Sequence, residues 1–194
     1  MYKQINAHEM GCNESSCYGP RTSVWMADGS KKLMADIRKG DWVLTTKVGV
    51  RGLPIPAEVD CVTIDKKGGV IYRIGEGEGV YITAQHPYWS TKTNRYQPGK
   101  IGSTKVVERA TEVYNLVLSN RGDVKVGTDG IYVVTLGHGL TGDPVVDHAF
   151  YGTEAVLHNL RAIDEPGWRE GLVDLTHTRQ VRDSNGWVCK YIKE

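Results

Sequence analysis

Short apolar runs separated by turn residues dominate the chain from residue 17 to about residue 140. The runs are rich in β-branched residues and too short for helices, which favours strands. They are Val24–Met26, Trp42–Thr46, Val59–Ile64, Val70–Ile74, Val80–Thr83, Val113–Leu118, Val124–Val126 and Ile131–Leu136. Turn chemistry such as Ala27-Asp28-Gly29-Ser30 lies between them. The pattern predicts an all-β fold with one short helix at Lys32–Ile37, which ends before Gly40.

The last fifty residues have a different pattern. Gly152–Ala162 has helical spacing of apolar residues, with Thr153 placed as a cap, and predicts a short helix. Leu172–Leu175 predicts a strand, and Arg179–Arg182 with Trp187–Ile192 predicts a β-hairpin. A separate domain here would have too little core of its own. We therefore expect a flanking segment at 1–16, a core domain at 17–140, and a C-terminal extension at 141–194 packed on the core.

Composition narrows the class of protein. The chain has 194 residues, 40% hydrophobic, and its 24 basic and 23 acidic residues leave a net charge of +1. This balance predicts no dedicated nucleic-acid surface. No apolar run is long enough to span a bilayer, and Met1–Met10 lacks a signal-peptide core. We expect a soluble monomer, in the cytoplasm rather than secreted, with no cofactor and no bound metal.

The four cysteines do not form a recognisable framework. Cys12, Cys17, Cys61 and Cys189 are scattered, which is atypical of a disulfide scaffold, and no CxxC spacing indicates a zinc ribbon. At least one thiol is expected to be free. A redox pair of Cys12 with Cys17 stays open at this point.

A faint internal repeat links two histidines. Tyr81–His86 and Val133–His138, the first and second repeats below, each end an apolar strand in Thr-x-x-His. The match is explained equally well by chance or by a duplicated β unit. Duplication would bring the two histidines near a pseudo-two-fold axis.

Three residues together suit one reaction, although each alone fits a structural role. Cys17 supplies a thiol, which needs a base or a well-aimed target to react at neutral pH. His86 can give a proton to a leaving nitrogen, and Thr83 can hold the same peptide or its oxyanion. If the target is the carbonyl of Ser16, orientation is nearly built in. The expected outcome is an N-to-S acyl shift at the Ser16–Cys17 bond, which leaves a thioester.

These segments resemble the Hedgehog/intein (Hint) superfamily. Cys17–Ser30 with Met34–Leu44 is similar to its opening block, and Thr83–His86 to the block whose Thr and His assist the acyl shift. Val113–Leu118 and Val133–Gly139 resemble its two C-terminal blocks. Further likeness to the Vint subfamily lies in Thr135–Leu140, Gly152–Val156, Pro166–Val173 and Val181–Asp183. The resemblance implies a β horseshoe with pseudo-two-fold symmetry and an upstream polypeptide, in Vint proteins often a von Willebrand A domain, as substrate.

Departures from the intein sequence pattern limit the reactions that we expect of this chain. Splicing inteins end in His-Asn, whereas His138 is followed here by Gly139 and the chain continues. Asn115 stands where many inteins carry aspartate, and Arg121-Gly122-Asp123 where they carry histidine. We expect N-terminal cleavage by hydrolysis or by transfer to an unknown nucleophile, without full splicing. Pseudo-symmetry would bring His138 to the same cleft, to orient the acceptor or to hold a metal with Cys17 and a tail histidine.

Other interpretations stay open. A non-catalytic interaction module that kept the Hint fold is the main alternative, and a cysteine hydrolase acting on other proteins is a weaker one. Gly75–Gly79 could form a phosphate loop and Arg121–Asp123 an adhesion tripeptide, but both are more typical of hairpin turns. His148, His158 and His177 are candidate metal ligands whose spacing defines no site.

Overall fold

The computed structural model describes residues 16–46, 52–75 and 79–194. Cys12, and with it the Cys12–Cys17 pair, lies outside them, as does most of the Gly75–Gly79 loop. The strands are β1 (Ser23–Trp25), β2 (Lys31–Leu33), β3 (Trp42–Thr45), β4 (Ile55–Asp65), β5 (Gly69–Ile74), β6 (Val80–Thr83), β7 (Pro87–Ser90), β8 (Arg95–Pro98), β9 (Ser103–Ala110), β10 (Val113–Leu118), β11 (Val124–Val126), β12 (Ile131–Val133), β13 (Leu172–Asp174), β14 (Thr178–Arg182) and β15 (Val188–Lys193). The helices are α1 (Gly99–Gly102), α2 (Glu154–Ile163) and α3 (Glu165–Glu170).

One large mixed sheet carries most of the fold. Its strand order is β10-β4-β3-β11-β12-β7-β8, with β1 and β2 attached at β11 and β13 attached at β4. A second sheet has the order β6-β5-β9, and β14 pairs with β15 as a hairpin. The all-β prediction is confirmed, and so are the helix and the hairpin near the C-terminus. None of the helices in the described ranges has the length and apolar content to cross a membrane.

Strand β10 separates two hydrophobic clusters and lies beside the candidate site. All six of its residues are buried, which explains its nearly continuous apolar sequence. Leu116 and Leu118 pack into the main core, whereas Val117 packs into a second cluster on the opposite face. Because side chains alternate along a strand, Asn115 shares the face of Val117. A polar side chain therefore lies on the buried surface between the core and the residues that cover it.

The C-terminal extension is joined to the core through both backbone and side chains. Strand β13 pairs in parallel with β4, with Leu172 opposite Val62. The second cluster combines Cys61, Val117 and Leu136 of the core with residues of the extension. The extension members of the cluster are Phe150, Tyr151, Val156, Leu157, Leu160, Ile163, Val173, Leu175, Val188 and Tyr191. The extension thus continues the main sheet and shares a buried apolar interface with it.

Helix α2 follows the sequence prediction closely. The Thr153 hydroxyl accepts a hydrogen bond from the backbone N–H of Ala155, which satisfies one of the free donors at the helix start. Val156, Leu160 and Ile163 are buried on one face at helical spacing. That face anchors the extension to the second cluster.

Some predicted elements were wrong in type or length, among them the strand predicted at Val59–Ile64, which spans Ile55–Asp65. Lys32–Ile37 was predicted as a helix, but β2 pairs with β1 and is followed only by a 3₁₀ turn at Met34–Asp36. The spacing of Met34 and Ile37, both fully buried, satisfies that single turn and imitates a helical pattern. The predicted strand Ile131–Leu136 ends at Val133. Helix α3 and strands β7, β8 and β9 had no counterpart in the prediction.

Candidate active site

The Ser16–Cys17 peptide bond is held at both of its polar atoms. The side-chain amide of Asn115 donates a hydrogen bond to the carbonyl oxygen of Ser16. The backbone N–H of Cys17 donates to the Thr83 hydroxyl over 3.1 Å. Both side chains are buried, with 3% of Asn115 and 1% of Thr83 exposed. The amide donor at the carbonyl oxygen and the hydroxyl partner at the nitrogen together polarise this peptide bond.

Backbone pairing places this bond between two strands. Tyr18 exchanges two hydrogen bonds with Tyr114 of β10, at 2.7 and 2.9 Å. On the other side the N–H of Thr83 donates to the carbonyl of Cys17 at 3.0 Å. Tyr18 is fully buried, and its hydroxyl donates to the carbonyl of Val134 at 2.6 Å. The segment after the candidate nucleophile is therefore fixed on both sides.

His86 is fully buried between two carbonyl oxygens. Its Nδ1 lies 3.0 Å from the carbonyl oxygen of Cys17, and its Nε2 lies 2.9 Å from that of Val134. A neutral imidazole has one N–H and can donate to only one of the two. Burial lowers the pKa of His86 to about 4, and the two carbonyls oppose that shift only in part. His86 is therefore neutral at pH 7 and able to accept a proton.

Asn115 is the residue whose position the sequence analysis undervalued. It was noted only as a departure from the intein aspartate, yet it contacts the carbonyl of Ser16 directly. Its Oδ1 accepts the N–H of Leu116 at 2.8 Å, which turns the amide nitrogen toward Ser16. A polar residue within the apolar run Val113–Leu118 was the available signal, because a buried amide requires partners.

The second repeat does not place its threonine and histidine on this peptide bond. The Thr135 hydroxyl donates to the carbonyl of Gly122 at 3.0 Å. Nδ1 of His138 accepts the N–H of Leu140 at 2.9 Å. Burial first, and then the nearby His86 and His148, lower the pKa of His138 to about 4. The expected place of His138 in the same cleft as Cys17 stays a prediction.

The remaining candidates fall outside the site. Cys61 is buried, and burial raises the pKa of its thiol to about 12. Cys189 is exposed in the extension. Asp123 is 2% exposed and accepts a hydrogen bond from the Tyr96 hydroxyl, so Arg121–Asp123 serves the turn and does not present an adhesion motif. Across the parts of the chain described, no three potential metal ligands cluster.

Comparison with known proteins agrees with this fold, which is that of a Hint-type, intein-like domain. The model of the Vint family, described as a Hint-domain, matches residues 16–189, and the chain belongs to this family. A search of curated proteins finds no match.

Solved structures of inteins share the fold. The bacterial intein-like domain from Clostridium thermocellum is 12% identical with a TM-score of 0.51, over 63% of this chain and 100% of that one. The DnaB intein from Synechocystis sp. PCC 6803 is 14% identical with a TM-score of 0.46, over 62% of this chain and 99% of that one. At such identity the likeness concerns the fold alone. More than a third of this chain lies outside the match to the Clostridium domain.

Proposed function

We propose that this chain is an autoprocessing domain that cuts its own backbone at the Ser16–Cys17 bond through a thioester. The proposal rests on two hydrogen bonds to that one peptide bond. Asn115 donates to its carbonyl oxygen, and its N–H donates to the Thr83 hydroxyl. A domain that served only protein contacts would not need two buried side chains hydrogen-bonded to one peptide bond.

The steps follow from these contacts. The Cys17 sulfur attacks the Ser16 carbonyl carbon, and negative charge develops on the oxygen that Asn115 already contacts. The carbon–nitrogen bond then breaks, and the nitrogen of Cys17 takes up a proton beside the Thr83 hydroxyl. We assign the transfer of the thiol proton toward that nitrogen to His86, whose Nδ1 lies 3.0 Å from the carbonyl oxygen of Cys17. The product is a thioester of the upstream segment on Cys17.

An amide at position 115 suits this first step. An amide keeps two N–H donors at every pH, whereas an ionised carboxylate can only accept and would repel a developing oxyanion. Asn115 therefore stabilises the intermediate where an aspartate would need to be protonated to do so. The second repeat ends in His138-Gly139, which offers no asparagine side chain for the cyclisation that completes splicing. We infer that hydrolysis or transfer to a nucleophile ends the reaction.

Intact-mass measurement of the freshly purified 194-residue chain tests the proposal. Cleavage releases residues 1–16, accelerates with added thiol or hydroxylamine, and disappears in Cys17→Ala. Cys189→Ala is the matched control, since its thiol is exposed and distant in sequence, and it keeps the wild-type rate. Cleavage that persists in Cys17→Ala would overturn the mechanism. A folded chain that remains intact with hydroxylamine would favour the non-catalytic interaction module.

A further inference from the structure

A cavity of about 450 Å³ opens beside the residue that becomes the acyl group. Its wall includes Ser16 and also Val134, whose carbonyl contacts His86. It further includes Tyr151 of the extension. The cavity thus touches Ser16, the residue whose acyl group the proposed thioester carries. Its volume is in the range that holds a drug-sized molecule.

The C-terminal extension supplies more than half of the cavity wall. Core residues on the wall include Val134, Leu136 and His138, and the facing residues come from two parts of the extension, residues 144–151 and 185–188. Breaking the bond requires only the core contacts of Asn115, Thr83 and His86. A second region that closes a space beside the same carbonyl is therefore suited to a later step.

We propose that this cavity binds the acyl acceptor, and that the acceptor is a primary amine with an apolar body. The inference rests on the proposed function, because it assumes the thioester on Cys17. In the transfer step the amine nitrogen attacks the Ser16 carbonyl carbon and a carbon–nitrogen bond forms. The carbon–sulfur bond breaks, the sulfur leaves as thiolate, and the proton released by the amine returns it to the thiol. The upstream segment ends as an amide.

The charges on the wall favour an amine over an acid. Asp147 lines the cavity, and none of the residues on its wall is a lysine or an arginine. A carboxylate without a lining cation attracts an ammonium group and repels a carboxylate or phosphate. Val145, Val146 and Trp187 provide the apolar surface for the rest of the molecule.

The two histidines on the wall favour an amine over an alcohol. His138 accepts the N–H of Leu140 at Nδ1, and His148 accepts the N–H of Phe150 at Nδ1 over 3.1 Å. Each neutral ring therefore carries its proton on Nε2 and cannot offer that nitrogen as a base. An alcohol needs its proton removed during attack, whereas the free base of a primary amine attacks with its lone pair and loses its proton afterwards.

His138 gives the cavity wall a polar group that can bind a ligand. Only 4% of the residue is exposed, and it lines the cavity. Within the described residues, its Nε2 makes no hydrogen bond to the protein. An N–H at this nitrogen can donate a hydrogen bond to an oxygen of the ligand beside its amine. Trp187 stacks edge-on against His148 at 5.4 Å and gives the apolar body a second contact.

Competition among nucleophiles on the full 194-residue chain tests the proposal by intact mass. The probes are phenethylamine, its isosteric alcohol phenethyl alcohol, methylamine and hydroxylamine. We expect the phenethylamine adduct of residues 1–16 to form at least tenfold faster than the methylamine adduct and to saturate with concentration, while the alcohol adds little. Equal rates for the two amines would show that the cavity does not bind the acceptor. An ester formed as fast as the amide would show that the amine class is wrong.

A pair of exposed tryptophans provides the matched variants. Trp187 is 55% exposed on the cavity and Trp42 is 51% exposed outside it. Trp187→Ala lowers the ratio of phenethylamine adduct to hydroxylamine product at least tenfold, and Trp42→Ala keeps that ratio. Because hydroxylamine is small enough to cleave the thioester without the cavity, loss of its product alone would contradict the proposed function. An unchanged ratio in Trp187→Ala would contradict only the acceptor site.

Discussion

The first and second repeats carry the same Thr-x-x-His pattern but use it differently. Thr83 and His86 both contact Cys17, one at its nitrogen and the other at its carbonyl. Thr135 instead bonds the carbonyl of Gly122, and His138 accepts a backbone N–H of its own turn. Similar local sequence thus binds the Ser16–Cys17 peptide in one repeat and lines a cavity in the other. The difference arises from which segment lies against each turn: the described hydrogen bonds join the first turn to Cys17, and the second to Gly122 and its own loop.

In the proposed mechanism the second half of the molecule contributes to bond cleavage through Asn115 and not through His138. Asn115→Asp should reduce the rate of thioester formation by roughly 100- to 1,000-fold at pH 7, the usual effect of losing an oxyanion donor. Hydroxylamine release of residues 1–16 measures that rate. Asn115→Gln keeps the amide on a longer side chain. It therefore separates the effect of the amide group from the effect of its position. A full rate in Asn115→Asp would remove this residue from the first step.

Exchanging the histidines for alanine sharpens the comparison directly. His86→Ala should slow thioester formation by roughly 100-fold, because a proton-transfer group is lost. His138→Ala should leave that rate within about threefold, since its ring makes no described contact with the scissile peptide. Circular dichroism confirms that both variants fold. If both substitutions slow thioester formation equally, the two histidines share the first step and the assigned division is wrong.

Substitution of the two threonines should change different properties, the cleavage rate for Thr83 and the free energy of unfolding for Thr135. Thr83→Ala should slow cleavage by about tenfold, the value of one hydrogen bond to the leaving nitrogen, and Thr83→Ser should recover most of the rate. Thr135→Ala should leave the rate alone but lower the free energy of unfolding by about 1 kcal/mol, as its buried bond to Gly122 is lost. Denaturant titration beside the mass assay separates these effects. A rate loss in Thr135→Ala with unchanged stability would contradict the comparison.

Acid should destabilise both halves through their histidines. The pKa of His86 and of His138 falls from 6.5 in a free chain to about 4 in the fold. Between those values the unfolded chain binds more protons, so the free energy of unfolding decreases as pH falls from about 6.5 to about 4. Each histidine adds a slope of at most about 1.4 kcal/mol per pH unit. Denaturation midpoints across this range should show a shallower slope in His138→Asn, and an unchanged slope would mean that His138 is not held neutral.

Much of the fold follows from local pattern, and the failures have physical causes. Val80–Thr83 and Val113–Leu118 were predicted with their observed bounds because each is an apolar run between turn residues. Lys32–Ile37 was mistaken for a helix because Met34 and Ile37 are three residues apart around a single turn. The strand Arg95–Pro98 has only four residues and ends in a proline, which weakens a strand prediction, so pairing with β7 decides its structure.

The sequence predicted only those site residues that belong to a recognisable motif. Cys17, Thr83 and His86 were proposed together from sequence, and the structure brings them into contact, although their catalytic roles stay predictions. Asn115 and the cavity could not be foreseen in the same way. Contact of Asn115 with Ser16 depends on how β10 lies beside the start of the chain, and the cavity wall joins residues far apart in sequence.

The parallel pairing of β13 with β4 also sets an order of events during synthesis. Residues 172–174 must reach residues 62–64, so this part of the sheet can close only after the extension has left the ribosome. The hydrogen bonds of Ser16, Cys17 and His86 described above reach no further along the chain than Val134 and can form earlier. A nascent chain would thus assemble its cutting site first and its acceptor cavity last. Water would be the only acceptor in that interval, so the time between the two steps would set how much of the upstream polypeptide is released as free acid.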